Sequence, residues 1–304
     1  MATTIWNESS GGALNAPWPA KGGILRYLAV LCWLAATLAQ PAWAASSPGL
    51  RSLEQQLAFL VATSPGDVGV AALDLKSGET VSINGDEPFP MASTVKVAIA
   101  ANYLAQVENG RRSLDERIGG KSAARQMEAM LIDSDNHATD LFLKNLGGPK
   151  TIQAWLTQNQ MLGVRVDRTI ARLLSDRRNL RDVRDSSTPR AMVDLLKRLD
   201  SGQLLKPSSR SYLFDLMRRC RTGKNRIRGL LPTGTQVENK TGTLSGLSTD
   251  VGFITLPDGR RIAVAFFARG GTNRPNIIAQ AARAIYDGFG AAFRAPLTAT
   301  FGTH

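Results

Sequence analysis

Three short stretches of this 304-residue chain carry side chains that could do chemistry together. In Met91-Ala-Ser-Thr-Val-Lys96, Ser93 and Lys96 stand three positions apart where a helix begins, which sets both side chains on one helical face. A serine hydroxyl is a poor nucleophile until a base takes its proton. A lysine serves as that base when burial or neighbouring cations lower its pKa. Ser134-Asp135-Asn136 follows an amphipathic run through Met127, Met130 and Leu131. Its hydroxyl can pass a proton to a departing nitrogen, and its carboxamide can hold a substrate amide. In Lys240-Thr241-Gly242-Thr243, a glycine beside a lysine on a strand lets a substrate backbone approach closely, while the ammonium supplies charge for a carboxylate.

Each stretch also has a bland explanation. A serine and a lysine three apart occur by chance in most proteins of this size. Ser, Asp and Asn all favour helix caps, so the second stretch by itself reads as a cap. The third reads equally well as an ordinary exposed edge strand. Their joint order in one chain gives them weight.

The elements that would hold them follow from periodicity. Leu53, Leu57 and Leu60 recur at helical spacing over 50–63. Residues 68–75 and 80–84 predict a β-hairpin turned at Lys76-Ser77-Gly78. From Ser93 to about Met217 the pattern is helical, punctuated at Gly110, Gly119-Gly120, Gly147-Gly148-Pro149 and Thr188-Pro189. Strands return at 236–242, 249–256 and 261–268, and a last helix covers about 276–289. Strands at both ends of the chain predict an α/β (α+β) fold with one antiparallel sheet. The sheet domain comprises 50–92 and 226–292, flanked by N- and C-terminal helices, and an all-helical domain is inserted over 93–225. A cleft between the two is the natural site.

Ser-x-x-Lys, Ser-Asp-Asn and Lys-Thr-Gly in that order form the signature of the penicillin-recognising serine enzymes. Segments 147–156, 166–168, 185–192, 195–205 and 226–234 resemble class A β-lactamases, so the likeness runs from about Leu53 to Phe289. The resemblance implies a β-lactamase/transpeptidase-like fold and a serine hydrolase opening an amide through an acyl-enzyme on Ser93. Lys96 is then its base or proton relay, and Ser134 protonates the leaving nitrogen. The backbone N–H groups of Ser93 and Thr243 form the oxyanion hole. Asn136 holds the acylamide carbonyl, Lys240 and Thr241 the substrate carboxylate, with Gly242 between them and the hole. Arg226 supports carboxylate binding, since the strand after Lys-Thr-Gly carries Thr249 and Asp250 rather than an arginine. No metal and no cofactor is implied.

Two departures qualify the likeness. Class A enzymes carry a glutamate two residues after the arginine of the Ω-loop's Asp-Arg pair, where it activates the deacylating water. Here Ile170 holds that position, and Thr169, Ala171 and Leu174 replace the usual tryptophan, proline and asparagine. The loop is slightly longer than usual. Arg168 and Asp185 can still close it as an ion pair, and Asp176 is the one loop carboxylate to consider in the glutamate's stead. The stretch between Lys96 and Ser134 is also short, and its only aromatic, Tyr103, reads as packing. Loss of the deacylating glutamate together with an open cleft resembles D-alanyl-D-alanine peptidases and class A-like penicillin-binding proteins more than efficient lactamases. Three readings follow: a β-lactam hydrolase, a cell-wall D,D-peptidase, or a β-lactam-acylated sensor or binding module.

Composition agrees with a globular exported protein, with 43% hydrophobic and 20% charged residues. Lys21 and Arg26 precede an apolar run from Tyr27 to Ala39, then small residues at Ala42, Ala44 and Ala45: a secretory signal over 1–44, cleaved after Ala44. The run falls short of the roughly 20 apolar residues that span a bilayer. Leu31 before Cys32 argues against a lipid anchor, and the mature chain keeps only Cys220, so no internal disulfide is expected. A formal charge of +12, or +11 without the leader's Lys21, Arg26 and Glu8, attracts anionic partners. The partners expected are a β-lactam or D-Ala-D-Ala peptide substrate and anionic cell-wall polymer or lipid, with a merely soluble basic surface as the alternative. Nucleic acid is not expected, and the protein reads as a periplasmic or secreted monomer.

Overall fold

The computed structural model describes residues 50–292. The expected signal segment 1–44, including Cys32, lies outside the described residues. Among those described, no helix is long and apolar enough to cross a membrane.

Five antiparallel strands form the main sheet: β1 (Asp67–Asp74), β2 (Thr80–Ile83), β7 (Val237–Leu244), β8 (Leu247–Thr255) and β9 (Arg261–Arg269), in spatial order β2-β1-β9-β8-β7. The expected hairpin is β1–β2, paired from Val70↔Ile83 to Leu73↔Thr80. β1 also runs along β9 from Asp67↔Arg269 to Asp74↔Ile262, which joins the two ends of the chain in one sheet. Period-2 alternation then divides the side chains between two cores. Val68, Val70, Ala72, Ile262, Val264 and Phe266 enter one core, whereas Ala71, Leu73, Ala263, Ala265 and Phe267 enter the other.

The first core is closed by the N-terminal helix α1 (Arg51–Ala62), through Leu53 and Leu57, and by the C-terminal helix α9 (Arg274–Ala292), through Ile278, Ala282, Ile285 and Phe289. The second is closed by the buried helix α2 (Lys96–Glu108) and by α7 (Pro189–Asp200). Thr188 caps α7 by accepting from the Ala191 N–H, with Pro189 at the first helical position, so sequence and geometry agree on where it starts.

The helical run holds more than helices. Besides α3 (Ala123–Ile132), α4 (Asn136–Asn145), α5 (Pro149–Gln158), α6 (Ile170–Ser175) and α8 (Pro207–Arg218), it contains the two-residue strands β4 (Arg117–Ile118), β5 (Lys121–Ser122) and β6 (Ser186–Ser187). β6 pairs with β3 (Phe89–Pro90), just ahead of Ser93. Two-residue ladders carry no periodicity, so the sequence pattern reads through them. Tyr103 is fully buried as expected, its hydroxyl donating to Ser113 O at 2.8 Å and Glu116 Oε1 at 2.7 Å.

Candidate active site

Ser93 sits on a single 3₁₀ turn, Ala92–Val95, that leads into α2. The turn is entered through Ala92 at φ +48°, a conformation that costs a non-glycine residue of order 1 kcal/mol and persists only when its surroundings hold it. The Met91 carbonyl accepts from Thr94 Oγ1 at 2.8 Å and Thr249 Oγ1 at 3.1 Å, and the Met91 N–H donates to Asp185 O at 2.9 Å. Thr249 belongs to the sheet and Asp185 to the loop before α7, so both halves of the molecule fix the turn.

Strand β7 occupies one edge of the sheet and runs against this turn. Gly242 makes the approach possible: a Cβ there would lie 2.6 Å from Met91 O and 2.9 Å from Ser93 N. Any side chain would push the strand away from the nucleophile's backbone. The exposed Thr243 follows directly. The segment is an edge strand but not an exposed one, since Lys240, Thr241 and Gly242 are all buried.

Ser134 lies between α3 and α4 at φ +61°. Asp135 fulfils the cap expectation, its carboxylate accepting the Ala138 N–H at 2.6 Å. The neighbours do more. Lys96 Nζ donates to Ser134 O at 2.7 Å, Asn136 Oδ1 at 2.9 Å and Ser134 Oγ at 3.2 Å. Lys240 Nζ donates to the same Ser134 Oγ at 2.9 Å and to Thr241 O at 3.0 Å. A serine hydroxyl has two lone pairs and one proton. Both lysine nitrogens face this oxygen, so whenever both are protonated the hydroxyl's own proton is left to point elsewhere. Among the described residues, the Ser93 hydroxyl has no hydrogen bond to Lys96, whose amine is drawn toward Ser134 and Asn136 instead.

Burial, followed by the Lys240 charge, pulls the Lys96 pKa down to about 7, against smaller opposing effects of Asp135 and Asp140. Burial likewise lowers Lys240, to about 8. Near neutral pH, Lys96 therefore exchanges its proton readily and can act as a base.

Arg226 is buried, its guanidinium donating to Gly242 O at 2.8 Å, Thr249 O at 2.9 Å and Thr243 Oγ1 at 2.6 Å. It braces the end of β7. Thr241 and Thr222 share a short hydroxyl contact, and Cys220 Sγ lies 3.4 Å from Thr222 Oγ1. Behind them Asp250 is fully buried and accepts from Asn239 Nδ2 at 2.8 Å. Burial pushes its carboxyl up to about 7 despite that bond and the nearby Arg226.

The loop over 165–185 closes as expected on Arg168, which pairs with Asp185 at 2.6 Å. Asp176 also pairs with Arg168, at 3.1 Å, and with Arg172, at 2.8 Å, so its carboxylate is engaged in holding the loop. Ile170 opens α6 and is buried. Its backbone N–H donates to Asp140 Oδ1 at 2.7 Å, and the Ala171 N–H to Asp140 Oδ2 at 2.8 Å. Asp140 thus clasps the two leading N–H groups of the loop helix, a contact that sequence reasoning missed. Its only signal was position, four residues after Asn136 on the same face of α4.

Ser93, Lys96, Ser134, Asn136, Lys240, Gly242, Thr243 and Arg226 are thus linked by direct contacts or adjacent backbone, as an acyl-transfer site requires. Independent likenesses agree. A profile described as the β-lactamase enzyme family matches residues 52–289. The carbapenem-hydrolysing β-lactamase KPC of Klebsiella oxytoca is 32% identical over 251 residues, covering 74% of this chain and 85% of that protein. β-Lactamase VEB-1 of Pseudomonas aeruginosa is 29% identical, covering 66% and 76% respectively. Among solved structures, the ancestral (GNCA) class A β-lactamase matches with a TM-score of 0.74 at 34% identity, over 78% of this chain and 100% of that one. A β-lactamase from Chitinophaga pinensis matches with the same TM-score at 28% identity, over 79% and 100%. The profile spans most of the chain, and the sequence and structural matches agree with it. The chain is a β-lactamase-like hydrolase and belongs to the class A β-lactamase family.

Proposed function

We propose that this enzyme opens β-lactam amides through an acyl-enzyme on Ser93 and that deacylation is its slow step. Lys96, with its pKa lowered to about 7, takes the Ser93 proton. The nascent oxyanion sits between the backbone N–H groups of Ser93 and Thr243, which the Gly242 approach brings together. Ser134 gives its proton to the leaving nitrogen, and Lys96 can reload it across the 3.2 Å contact. Asn136 positions the acylamide, while Lys240 and Thr241 take the substrate carboxylate, with Arg226 bracing the strand.

The Ser134 hydroxyl held between the Lys96 and Lys240 amines carries this reading, because once Lys96 has taken the Ser93 proton the Ser134 proton is turned away from both and free for a leaving group. Slow deacylation rests on Ile170, an apolar side chain at the position from which relatives activate water. That absence also supports the second reading, a D-alanyl-D-alanine peptidase. Export with cleavage after Ala44 fits both, since their substrates lie outside the cytoplasm, and a mature N-terminus at Ala45 is the expected result of terminal sequencing.

Time-resolved intact mass with benzylpenicillin tests the proposal. An adduct that maps to Ser93 and persists through many seconds supports it. No adduct, or one elsewhere, removes the acylation mechanism. An adduct too brief to detect during rapid turnover removes the slow step.

A further inference from the structure

The loop over 165–185 carries seven arginines against four aspartates. Five of the arginines have carboxylate partners: Arg165 with Asp167, Arg172 with Asp176, Arg181 with Asp67, Arg184 with Asp182, and Arg168 with Asp176, Asp182 and Asp185. Arg177 and Arg178 are different. Among the described residues neither has a salt bridge or hydrogen bond, and both line a shallow cleft shared by the apolar Pro90, Leu173, Leu180 and Leu244 and by the already paired Arg168, Asp182 and Arg184.

The walls of that cleft locate it. Leu244 follows Thr243 at the end of β7, and Pro90 precedes Ser93 by three residues. The cleft is therefore walled by the continuations of the two segments that converge on the oxyanion position. The leaving-group side of the substrate is already supplied with cations by Lys240. Leu173, Leu180 and Leu244 form the apolar part of the cleft's wall, the Asp182 carboxylate is already held by Arg168 and Arg184, and Arg177 and Arg178 are the cations left without a carboxylate partner, which suits an acyl group bearing an anion.

We propose that this cleft is an anion-recognising subsite, in which Arg177 and Arg178 bind a carboxylate carried on the acyl side of the scissile amide. The inference rests on the acyl-enzyme reading above and adds a substrate preference to it. The same chemistry occurs in a β-lactam with a carboxylated acyl side chain and in a wall peptide with a side-chain carboxylate ahead of its terminal D-alanines.

Carbenicillin is benzylpenicillin with one added carboxylate on the acyl side chain, so this pair isolates the charge. Acylation kcat/KM would be measured for both in the wild type, in Arg177→Gln/Arg178→Gln and in Arg177→Lys/Arg178→Lys. The glutamine variant is expected to lose about tenfold on carbenicillin and less than twofold on benzylpenicillin, with the lysine variant recovering most of the difference. Equal change on both penicillins, or none on either, removes a β-lactam carboxylate as the occupant. A parallel pair of D-Ala-D-Ala peptides, with glutamate or glutamine on the acyl side, separates the sources. Discrimination confined to one pair assigns the subsite to that substrate class, and discrimination in neither overturns it.

If benzylpenicillin forms no adduct with the wild type, the acylation reading falls by itself. The subsite is then judged by calorimetric binding to Ser93→Ala, where carbenicillin must bind more tightly than benzylpenicillin and lose that advantage on removal of both arginines. If the double glutamine variant does not fold, Arg177→Gln and Arg178→Gln are measured singly against the same criterion.

Discussion

Lys240 Nζ lies 2.9 Å from Ser134 Oγ, so the residue proposed to take the substrate carboxylate is in direct contact with the residue proposed to serve the leaving group. Lys96 reaches the same oxygen from the other side at 3.2 Å. Substrate anchoring and proton delivery are thereby joined in one hydrogen-bonded unit, and deletions within it should not be additive.

Ser134→Ala tests the unit at its centre. Acylation should fall by about 10²-fold through loss of the proton donor, and the two lysines lose the oxygen they share. The measurement is the stopped-flow acylation rate with benzylpenicillin, beside a thermal melt showing that the fold survives. An undiminished rate would mean that the leaving nitrogen is protonated by another group.

The pH profile of acylation should rise through about pH 7, because Lys96 must be neutral to act as base and its pKa has been lowered to about that value. Lys240→Ala removes a cation that disfavours Lys96 protonation. The ascending limb should then move to higher pH, but only part of the way to 10.5, because burial is the larger cause and remains. The rate is read at saturating substrate, which separates the shift from lost carboxylate binding. A limb that stays in place would remove Lys240 as a tuner of Lys96.

Asp140→Ala should loosen the loop helix by leaving the Ile170 and Ala171 N–H groups without their acceptor. Losing hydrogen bonds to a charged group costs about 1.5–3 kcal/mol each before water compensates. The melting temperature should drop by several degrees, while Asp140→Asn, which keeps one acceptor, should lose less. Differential scanning calorimetry distinguishes the two, and a melt unchanged in Asp140→Ala would show that the clasp contributes nothing.

Ile170→Glu should accelerate release of the acyl-enzyme by restoring a carboxylate at the position where relatives have one. The new carboxylate would stand beside Asp140, whose like charge raises its pKa toward neutrality and so strengthens it as a base. The gain should therefore be smaller in the double variant Ile170→Glu/Asp140→Asn. Burst amplitude and steady-state rate in a stopped-flow trace report both phases. A double variant as fast as Ile170→Glu alone would contradict the electrostatic argument.

The sequence by itself determined the main elements, the family and the candidate residues of the site. The short apolar runs of β1 and β9, bounded by turn residues, and the leucine spacing in α1 were enough to predict the antiparallel sheet and its flanking helices, because strands buried on both faces and a one-sided helix leave different patterns. Ser93, Lys96, Ser134 and Lys240 were legible for the same local reason, as their motifs are contiguous in the chain. Only the tertiary structure decided what these residues do to one another. The lowered Lys96 pKa depends on burial and on Lys240, which is distant in sequence, and the Gly242 approach exists only where an edge strand meets a turn from the other half of the fold. Beyond Arg168 with Asp185, the sequence could not assign the loop's partners, because seven arginines and four aspartates allow many pairings. Folding engages Asp176 with Arg168 and Arg172, sets Asp140 against the backbone of Ile170 and Ala171, and leaves Arg177 and Arg178 at the rim of a cleft. Pairing energies depend on distance and desolvation, and neither quantity is written in residue order.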